Sequence, residues 1–267
     1  YCGYEVPVAH VCPQCGSRYI SGFKAGTQKI EMLVKKRFPD ARVLRMDFDT
    51  TRKKESYEKI LSAFANREAD ILVGTQMIVK GHDFPNVTLV GVLAADLSLG
   101  VSDYRASERT FQLLTQAAGR AGRGDRPGEV VIQTYQPEHY SIVAAAAQDY
   151  ASFYEHEMEY RRMLCYPPVW NMLVILAAAR EEDLAYQAAE RMRRVIVALG
   201  YPGLFVGGPA DAAVAKVNDI YKKVLYLKHA DYGILVDVKD RMEHFLNGNR
   251  EMKDIVVQFD FNPMNGF

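Results

Sequence analysis

The segment from Thr27 to Tyr135 switches repeatedly between two hydrophobic periodicities. Three stretches place apolar residues three and four positions apart, which is helical spacing: "TQKIEMLVKKRF", "SYEKILSAFANRE" and "RASERTFQLLTQAAGR". Four shorter apolar runs are typical of strands: "ARVLRMD", "DILVGTQ", "VTLVGVLAAD" and "GEVVIQTY". The alternation predicts an α/β fold with a mostly parallel sheet, in which "VTLVGVLAAD" is buried on both faces. In such folds ligands bind at the carboxyl ends of the strands.

The pattern changes after Pro137. A long helical stretch, "EHYSIVAAAAQDYASFYEHEMEYRRML", leads to Pro167 and Pro168, which predict a junction. Beyond it we expect the strands "NMLVILAAA", "LFVGG", "YKKVLYLKH" and "DIVVQFDF", with one helix after the first strand and another around "KDRMEHFL". This order is close to a ferredoxin-like α+β arrangement. We therefore predict three regions: residues 1–22, residues 23–137, and residues 138–267 with a connecting helix and the smaller domain.

Composition restricts the classes of function. The 267 residues contain 33 Lys+Arg and 33 Asp+Glu, so there is no overall basic field and any contact with nucleic acid must be local. The longest strongly apolar run, "MLVILAAA", is far shorter than the roughly 20 residues that span a bilayer. We interpret the chain as a cytoplasmic globular protein without membrane contact. Because it begins with Tyr1 rather than Met, we expect it to be part of a longer protein.

Three cysteines near the amino terminus predict part of a zinc site. Cys12 and Cys15 form a C-x-x-C motif closed by a glycine, a spacing that places two thiolates on one tetrahedral zinc, although the spacing can also arise by chance. Cys2 resembles the second cysteine of another such motif. We expect the partial zinc-binding segment to lie within residues 1–22, and Cys165 to be a buried free thiol.

Two loops carry candidate chemistry. In "GTQMIVKGHDFPNVTLV", Thr75 can bond a nucleic-acid phosphate, and Asp83 can accept from a ribose hydroxyl or order metal-bound water. The alternative is an ordinary β-α loop. In "TQAAGRAGRGDRPGE", Arg120 and Arg123 lie among small residues. One interpretation is that the two arginines lie at the end of a helix and offset its dipole. The other is that the small residues let a polyphosphate approach the backbone and that the arginines bind it.

The two motifs together resemble the second RecA-like lobe of superfamily-2 helicases, in which Q-x-x-G-R-x-G-R faces ATP. The segments "CGYEVPVAHVCPQCGS" and "GTQKIEMLVKKRFPDARVLRMDFDTTRKK" narrow the resemblance to the primosomal replication-restart helicases, and "RRMLCYPPVW" resembles the C-terminal domain of that family. The resemblance implies catalytic roles for three residues, with at least one arginine acting as an arginine finger on the γ-phosphate: Gln116, Arg120 and Arg123. It implies nucleotide contacts at Gly81, Asp83 and Gly119. It implies DNA contacts at Thr75, Gln76, Lys80, Lys222 and Lys223, and zinc ligands at Cys2, Cys12 and Cys15.

The resemblance also implies the cofactors and partners of the complete enzyme. ATP, Mg²⁺ and zinc are expected, together with forked or single-stranded DNA, single-stranded-DNA-binding protein and primosome proteins. The implied function is 3′-to-5′ movement on DNA at stalled replication forks. No phosphate-binding loop of the form G-x-x-x-x-G-K-[ST] occurs in the chain, so we expect it to be inactive alone. Two alternatives stay open: another superfamily-2 translocase, and a non-catalytic module that binds DNA or protein.

Overall fold

The computed structural model describes residues 10–18, 26–52, 54–78, 84–101, 103–123 and 126–264. These residues pack into two compact units. The parallel unit comprises Val8–Gly100 and Ser107–Phe153, and the antiparallel unit comprises Val101–Ala106 and Tyr154–Phe267. The three-region division expected from the sequence stays a prediction. No helix of the described ranges is both long enough and apolar enough to cross a membrane.

The parallel unit alternates helices and strands as the periodicity predicts. Its described helices are α1 (Thr27–Arg37), α2 (Lys54–Ala65), α3 (Asp96–Leu99), α4 (Ala106–Ala118) and α5 (Tyr140–Ala147). Its described strands are β1 (Val43–Met46), β2 (Ile71–Gly74), β3 (Leu89–Val92) and β4 (Glu129–Ile132). β1 pairs with β2 and β3 with β4, and both pairs are parallel. The described strands therefore form two parallel pairs rather than one continuous sheet.

The expectation that β3 is buried on both faces is wrong for the described residues. One face of the β3–β4 pair packs through Val92 and Ile132 on a core that includes Phe111 of α4. The other face exposes 60% of Leu89 and 52% of Val131. A continuous apolar run fits a strand with only one covered face as well as a strand with two, so hydropathy could not separate these cases.

The predicted long helical stretch is two helices. α5 ends at Ala147, and α6 (Tyr150–Met163) follows after a break. Gln148 takes a left-handed conformation with φ 54°, and the Asp149 carboxylate accepts from the N–H of Ser152 at 3.0 Å. A left-handed C-cap followed by an Asp N-cap ends one helix and starts another without disturbing the apolar spacing on which the prediction rested.

The antiparallel unit is built on a four-stranded sheet. Along the chain its elements are β5 (Asn171–Ala179), α7 (Glu182–Ala198), β6 (Phe205–Val217), β7 (Ile220–His229), α8 (Tyr232–Gly248) and β8 (Val256–Phe261). The strand order is β6-β7-β5-β8, and every pairing is antiparallel. β5 is central and buries Leu173, Val174 and Ile175 completely, so both faces of the sheet are covered here.

β6 is longer than the predicted strand around "LFVGG". The register shifts between Gly207 and Ala210, and the strand then continues to Val217. β6 lies at the sheet edge, where a proline such as Pro209 is tolerated at an irregularity. Gly208 has φ +97° at this point, and a Cβ there would lie 2.5 Å from the carbonyl oxygen of Val224. Only glycine fits so close an approach.

Candidate nucleotide and nucleic-acid site

The turn that follows α4 carries the two candidate arginines. The helix ends at Ala118, and the N–H of Gly119 still donates to the carbonyl oxygen of Thr115 at 3.0 Å. Gly122 then takes φ +75°, and its N–H donates to the carbonyl oxygen of Val87 at 3.0 Å. The chain therefore leaves the helix in a tight turn that is bonded to the segment entering β3.

Two of the glycines near the arginines have a packing role. A Cβ on Gly122 would lie 2.6 Å from the backbone nitrogen of Gly128, so the two backbones approach too closely for any side chain. Gly119 differs, because a Cβ there would first meet the Thr115 carbonyl oxygen at 3.5 Å, an ordinary contact. Closure of the loop accounts for Gly122 and Gly128. It does not account for Gly119.

The arginine side chains differ in their surroundings. Arg120 is partly buried, whereas Arg123 is exposed and its Nε donates to the carbonyl oxygen of Gly119 at 2.7 Å. Gln116 is exposed in the last turn of α4, and Arg120 lies two residues beyond the end of the helix. Gln116, Arg120 and Arg123 therefore lie along the end of α4 and the turn that follows it, and their catalytic roles stay a prediction. Cations at this position also complement the helix dipole.

The candidate DNA contacts Thr75 and Gln76 follow β2 directly. Both are exposed, and the Thr75 carbonyl oxygen accepts from the N–H of Ile78 at 3.2 Å. Gly74 ends the strand against β1, where a Cβ would lie 2.5 Å from the Met46 carbonyl oxygen. The predicted residues Lys80, Gly81 and Asp83, like Cys2, lie outside the described residues. The described loop resumes at Phe84, and Val87 beyond it is bonded to the arginine turn.

A buried carboxylate at the carboxyl end of β1 was not predicted. Asp47 accepts from the hydroxyl of Thr27 at 2.5 Å and from the N–H of Thr50 at 2.9 Å. The hydrogen bond from Thr27 has the largest effect on the pKa of Asp47. Together with the bond from Thr50 it holds this pKa below its usual range, although burial of the carboxylate acts to raise it. The signal in the sequence was "DFDTT", an Asp three residues before a Thr, which is a common turn pattern.

Asp96 has a similar structural role at the ends of β3 and β4. Its carboxylate accepts from the Thr134 hydroxyl at 2.9 Å and from the N–H of Tyr135 at 3.0 Å. Burial raises the pKa of Asp96, but these hydrogen bonds outweigh it and the pKa is lowered. The carboxylate is thereby fixed as an acceptor that holds the two strand ends together.

The two predicted lysines of β7 have different environments. Lys223 is buried, and its ammonium contacts Glu182 at 2.7 Å and Asp211 at 2.6 Å. Lys222 is partly exposed on the opposite face of the strand. A DNA contact by Lys223 requires its ammonium to leave two carboxylates, so Lys222 is the better candidate of the pair.

Cys12 and Cys15 lie in a tight turn. The Cys12 carbonyl oxygen accepts from the N–H of Gly16 at 2.9 Å, and Gly16 has φ +70°. Backbone N–H groups of Cys15 and Gln14 donate to the Cys12 sulfur and lower its pKa. Donors that stabilise a thiolate suit a zinc ligand. Among the described residues no group of three or more His, Cys, Asp and Glu side chains could hold a metal ion, so the zinc site stays a prediction.

Cys165 belongs to the antiparallel unit. It is a free cysteine that is only partly buried, which corrects the expectation of a buried thiol. It takes φ +55° just after α6, and this chain reversal leaves the residue near the surface.

Residues 18–125 match the model of the family described as helicase conserved C-terminal domain. Replication restart protein PriA of Bacillus subtilis (strain 168) is 45% identical over 264 residues, which is 98% of this chain and 33% of the relative. Replication restart protein PriA of Synechocystis sp. is 40% identical over 265 residues, which is 99% of this chain and 31% of the relative. That of Chlamydia trachomatis is 44% identical over 186 residues, or 69% of this chain. The chain spans about a third of the length of the first two of these relatives.

Proposed function

We propose, on the premise that the chain belongs to the replication restart helicase family, that it is the second motor lobe and C-terminal domain of an ATP-dependent DNA helicase. The full-length protein is proposed to move 3′-to-5′ on DNA at stalled forks and to restart replication. The observation that carries the proposal is the helicase match over residues 18–125, which encloses the turn from Gln116 to Arg123. The helicase C-terminal domain is an α/β RecA-like fold, in agreement with the two parallel strand pairs.

Arg120 and Arg123 are proposed to act on the transferred phosphoryl group. Negative charge spreads over the γ-phosphoryl oxygens in the transition state, and a positioned guanidinium stabilises it, by about 10³- to 10⁵-fold in rate for an arginine finger. Arg120 is partly buried at the helix end, which limits its freedom. To act in this way, Arg123 has to give up its hydrogen bond to the Gly119 carbonyl oxygen and donate to a phosphate oxygen instead. Gln116, in the last turn of α4, is proposed to sense the nucleotide or to position water.

The nucleotide contacts are proposed to include Gly81, Asp83 and Gly119. The surroundings of Gly119 support this, because a Cβ there would make only ordinary contacts with the described residues and their packing does not require glycine. No phosphate-binding loop occurs in these 267 residues, so ATP and Mg²⁺ are proposed to be held mainly by another part of the full-length protein. When bound, Mg²⁺ neutralises phosphate charge. This chain is proposed to contribute Arg120 and Arg123 to the ATP site.

DNA is proposed to lie along the carboxyl end of β2. Thr75 and Gln76 are exposed there and suit phosphate contacts, and Lys80 follows in the same loop of the sequence. Lys222 is a second, separate candidate in the antiparallel unit. The balanced charge of the chain supports local contacts of this kind rather than a broad basic surface.

The remaining regions are proposed to serve fork recognition and assembly. The β-α-β-β-α-β order of the antiparallel unit supports its assignment as a ferredoxin-like domain. The amide donors to Cys12 support a zinc site that Cys12 and Cys15 share with Cys2 and a further ligand. Single-stranded-DNA-binding protein and primosome proteins are the proposed protein partners.

Two other functions compete with this proposal. Another superfamily-2 translocase has no need of the cysteine turn, and similarity over 98% of the chain to a replication restart protein also disfavours it. A non-catalytic binding module would keep the fold without using ATP. Turnover measurements separate this second alternative from a motor lobe.

The test is alanine substitution of each arginine in the full-length protein. Arg120→Ala or Arg123→Ala should lower DNA-stimulated ATP turnover by about 10³-fold or more for the main finger, with KM for ATP and DNA affinity little changed. Arg120→Lys should not restore turnover, because an ammonium lacks the planar fork of a guanidinium. Arg126→Ala is the matched control, an exposed arginine in the same loop, and should behave as wild type. Near-normal turnover in both alanine variants would favour the binding module.

A further inference from the structure

Phe48 lies at the tip of a tightly closed turn after β1. The buried Asp47 fixes the turn, because its N–H donates to the Thr50 hydroxyl at 2.9 Å and its carbonyl oxygen accepts from the Thr51 hydroxyl at 2.6 Å. The Asp47 carboxylate is tied in addition to Thr27 of α1. These bonds constrain the backbone that carries Phe48, which reduces the backbone entropy lost when a ligand stacks on the ring.

The ring of Phe48 is 75% exposed, more than that of any other phenylalanine in the described ranges. The Arg52 guanidinium lies over it, 5.9 Å from the ring centroid. Arg52 also donates to Asp49 at 3.0 Å, but both side chains are about 70% exposed, and such a surface pair contributes little. A phosphate can therefore replace the Asp49 carboxylate on Arg52 at low cost.

The position of this turn in the sheet relates it to the proposed DNA contacts. β1 and β2 are parallel and in register, with Met46 opposite Gly74. Asp47 and Thr75 therefore leave the two strands side by side, and Phe48 follows on the same sheet edge as Thr75 and Gln76. In the sequence Arg52 is the first of three consecutive basic residues, "RKK".

We propose that Phe48 and Arg52 form a stacking platform for a base of single-stranded DNA, with Arg52 contacting the adjoining phosphate. An exposed aromatic ring beside arginine, next to polar groups that suit phosphates, is the combination that binds single strands without regard to sequence. A protein partner is disfavoured, because the described residues beside the ring, Asp49 and Arg52, are charged rather than apolar. The platform rests on the proposed function, since Thr75 and Gln76 define the DNA path that it extends.

The experiment measures binding of a fluorescent oligothymidylate to the full-length helicase over a salt series. Phe48→Ala should weaken binding by about 5- to 100-fold at one salt concentration, and Phe48→Trp should preserve it. Arg52→Ala should also weaken binding and should reduce the slope of log affinity against log salt by about one, whereas Phe48→Ala should leave that slope unchanged. The two substitutions therefore have different signatures.

The chain offers a matched control. Phe38 is 52% exposed under the guanidinium of Arg37, also at 5.9 Å, but it follows α1 and precedes β1, away from the carboxyl end of the strands. Phe38→Ala should bind as wild type. Wild-type binding by Phe48→Ala, while the parent binds DNA, would overturn the platform and leave the helicase proposal intact. Absence of DNA binding by the parent protein would overturn both.

A second measurement needs no variant and is independent of folding defects. Oligonucleotides carrying iododeoxyuridine form photo-crosslinks to aromatic side chains on which the base stacks. Crosslinks of the wild-type helicase that map to Phe48 by mass spectrometry would support the platform. Crosslinks that form only at other residues would refute it.

Discussion

At the scale of single residues, Arg42 and Asp70 join the amino ends of β1 and β2. Arg42 donates to both carboxylate oxygens of Asp70, through Nε at 3.0 Å and through a terminal nitrogen at 2.8 Å, and its backbone N–H donates at 2.8 Å. The hydrogen bond from the Arg42 side chain, followed by that from its backbone, lowers the pKa of Asp70 to about 2. The pair fixes where the two strands begin, because the same guanidinium also donates to the Arg67 carbonyl oxygen.

This pKa shift predicts a pH dependence of stability. An unfolded Asp has a pKa of about 3.9, so the depressed value in the folded chain stabilises it at higher pH, and this contribution is lost as pH falls toward about 2. Asp70→Asn should remove that part of the pH dependence. Urea unfolding of the chain at a series of acidic pH values checks this. Arg42→Ala should flatten the curve in the same interval, and an Asp70→Asn curve parallel to wild type would refute the assignment.

Lys222 and Lys223 show how far single residues can be placed from sequence. Strand alternation requires that neighbours face opposite sides, so only one of two adjacent lysines can face inward. Which one does so depends on Glu182 and Asp211, which lie 41 and 12 residues from Lys223. A local pattern carries no information on partners so distant. The sequence therefore predicted a basic pair where the structure contains one buried ion cluster and one surface lysine.

At the scale of elements, prediction succeeded where burial imposes a period. α1, α2 and α4 form where apolar residues recur at helical spacing, and the parallel pairing of β1 with β2 and of β3 with β4 follows the alternation. Prediction failed where the backbone conformation of single residues determines where an element ends. Gln148 breaks a helix without changing the apolar spacing, and the irregularity at Gly208 lets β6 continue past a proline. Both events depend on left-handed backbone angles to which hydropathy is insensitive.

The turn after α4 yields a prediction that separates packing from chemistry. Gly122→Ala should destabilise the chain by about 1–3 kcal/mol, because φ +75° is strained for alanine and the new Cβ meets the Gly128 backbone at 2.6 Å. Gly119→Ala should leave the free energy of unfolding within about 1 kcal/mol of wild type, since its Cβ meets only an ordinary contact. In the full-length helicase, however, Gly119→Ala should lower ATP turnover if the nucleotide approaches this backbone.

Two measurements on the same two variants separate packing from a nucleotide contact. They are chemical denaturation of the chain and steady-state ATPase of the full-length protein. Gly119→Ala with wild-type turnover would show that the glycine serves no nucleotide contact. Gly122→Ala with wild-type stability would contradict the close packing of the two glycine backbones.

At the scale of the whole molecule, the resemblance to replication restart helicases agrees with the similarity to PriA proteins, and the function of the full-length protein stays a proposal. The family resemblance depended on two short motifs, "GTQMIVKGHDF" and "QAAGRAGRG", in which packing within the chain accounts for Gly74 and Gly122. The order of elements in the antiparallel unit could also be predicted, because its strands and helices are long and strongly periodic. The assignment of Val101–Ala106 to the antiparallel unit could not, since so short a segment at the start of α4 carries no signal of the core in which Tyr104 is buried.

The final prediction concerns what the chain can do by itself. It contains both arginines of the turn but no phosphate-binding loop, and a finger adds rate only to a phosphoryl group that other residues already hold. The purified 267-residue chain should therefore show no DNA-stimulated ATPase above a protein-free blank, whereas the full-length protein should turn over ATP. An Arg120→Ala, Arg123→Ala double variant of the chain is the control for contaminating ATPases. Hydrolysis that occurs in the chain and disappears in the double variant would mean that these residues form a complete ATP site, and would contradict the division of the site between two parts of the protein.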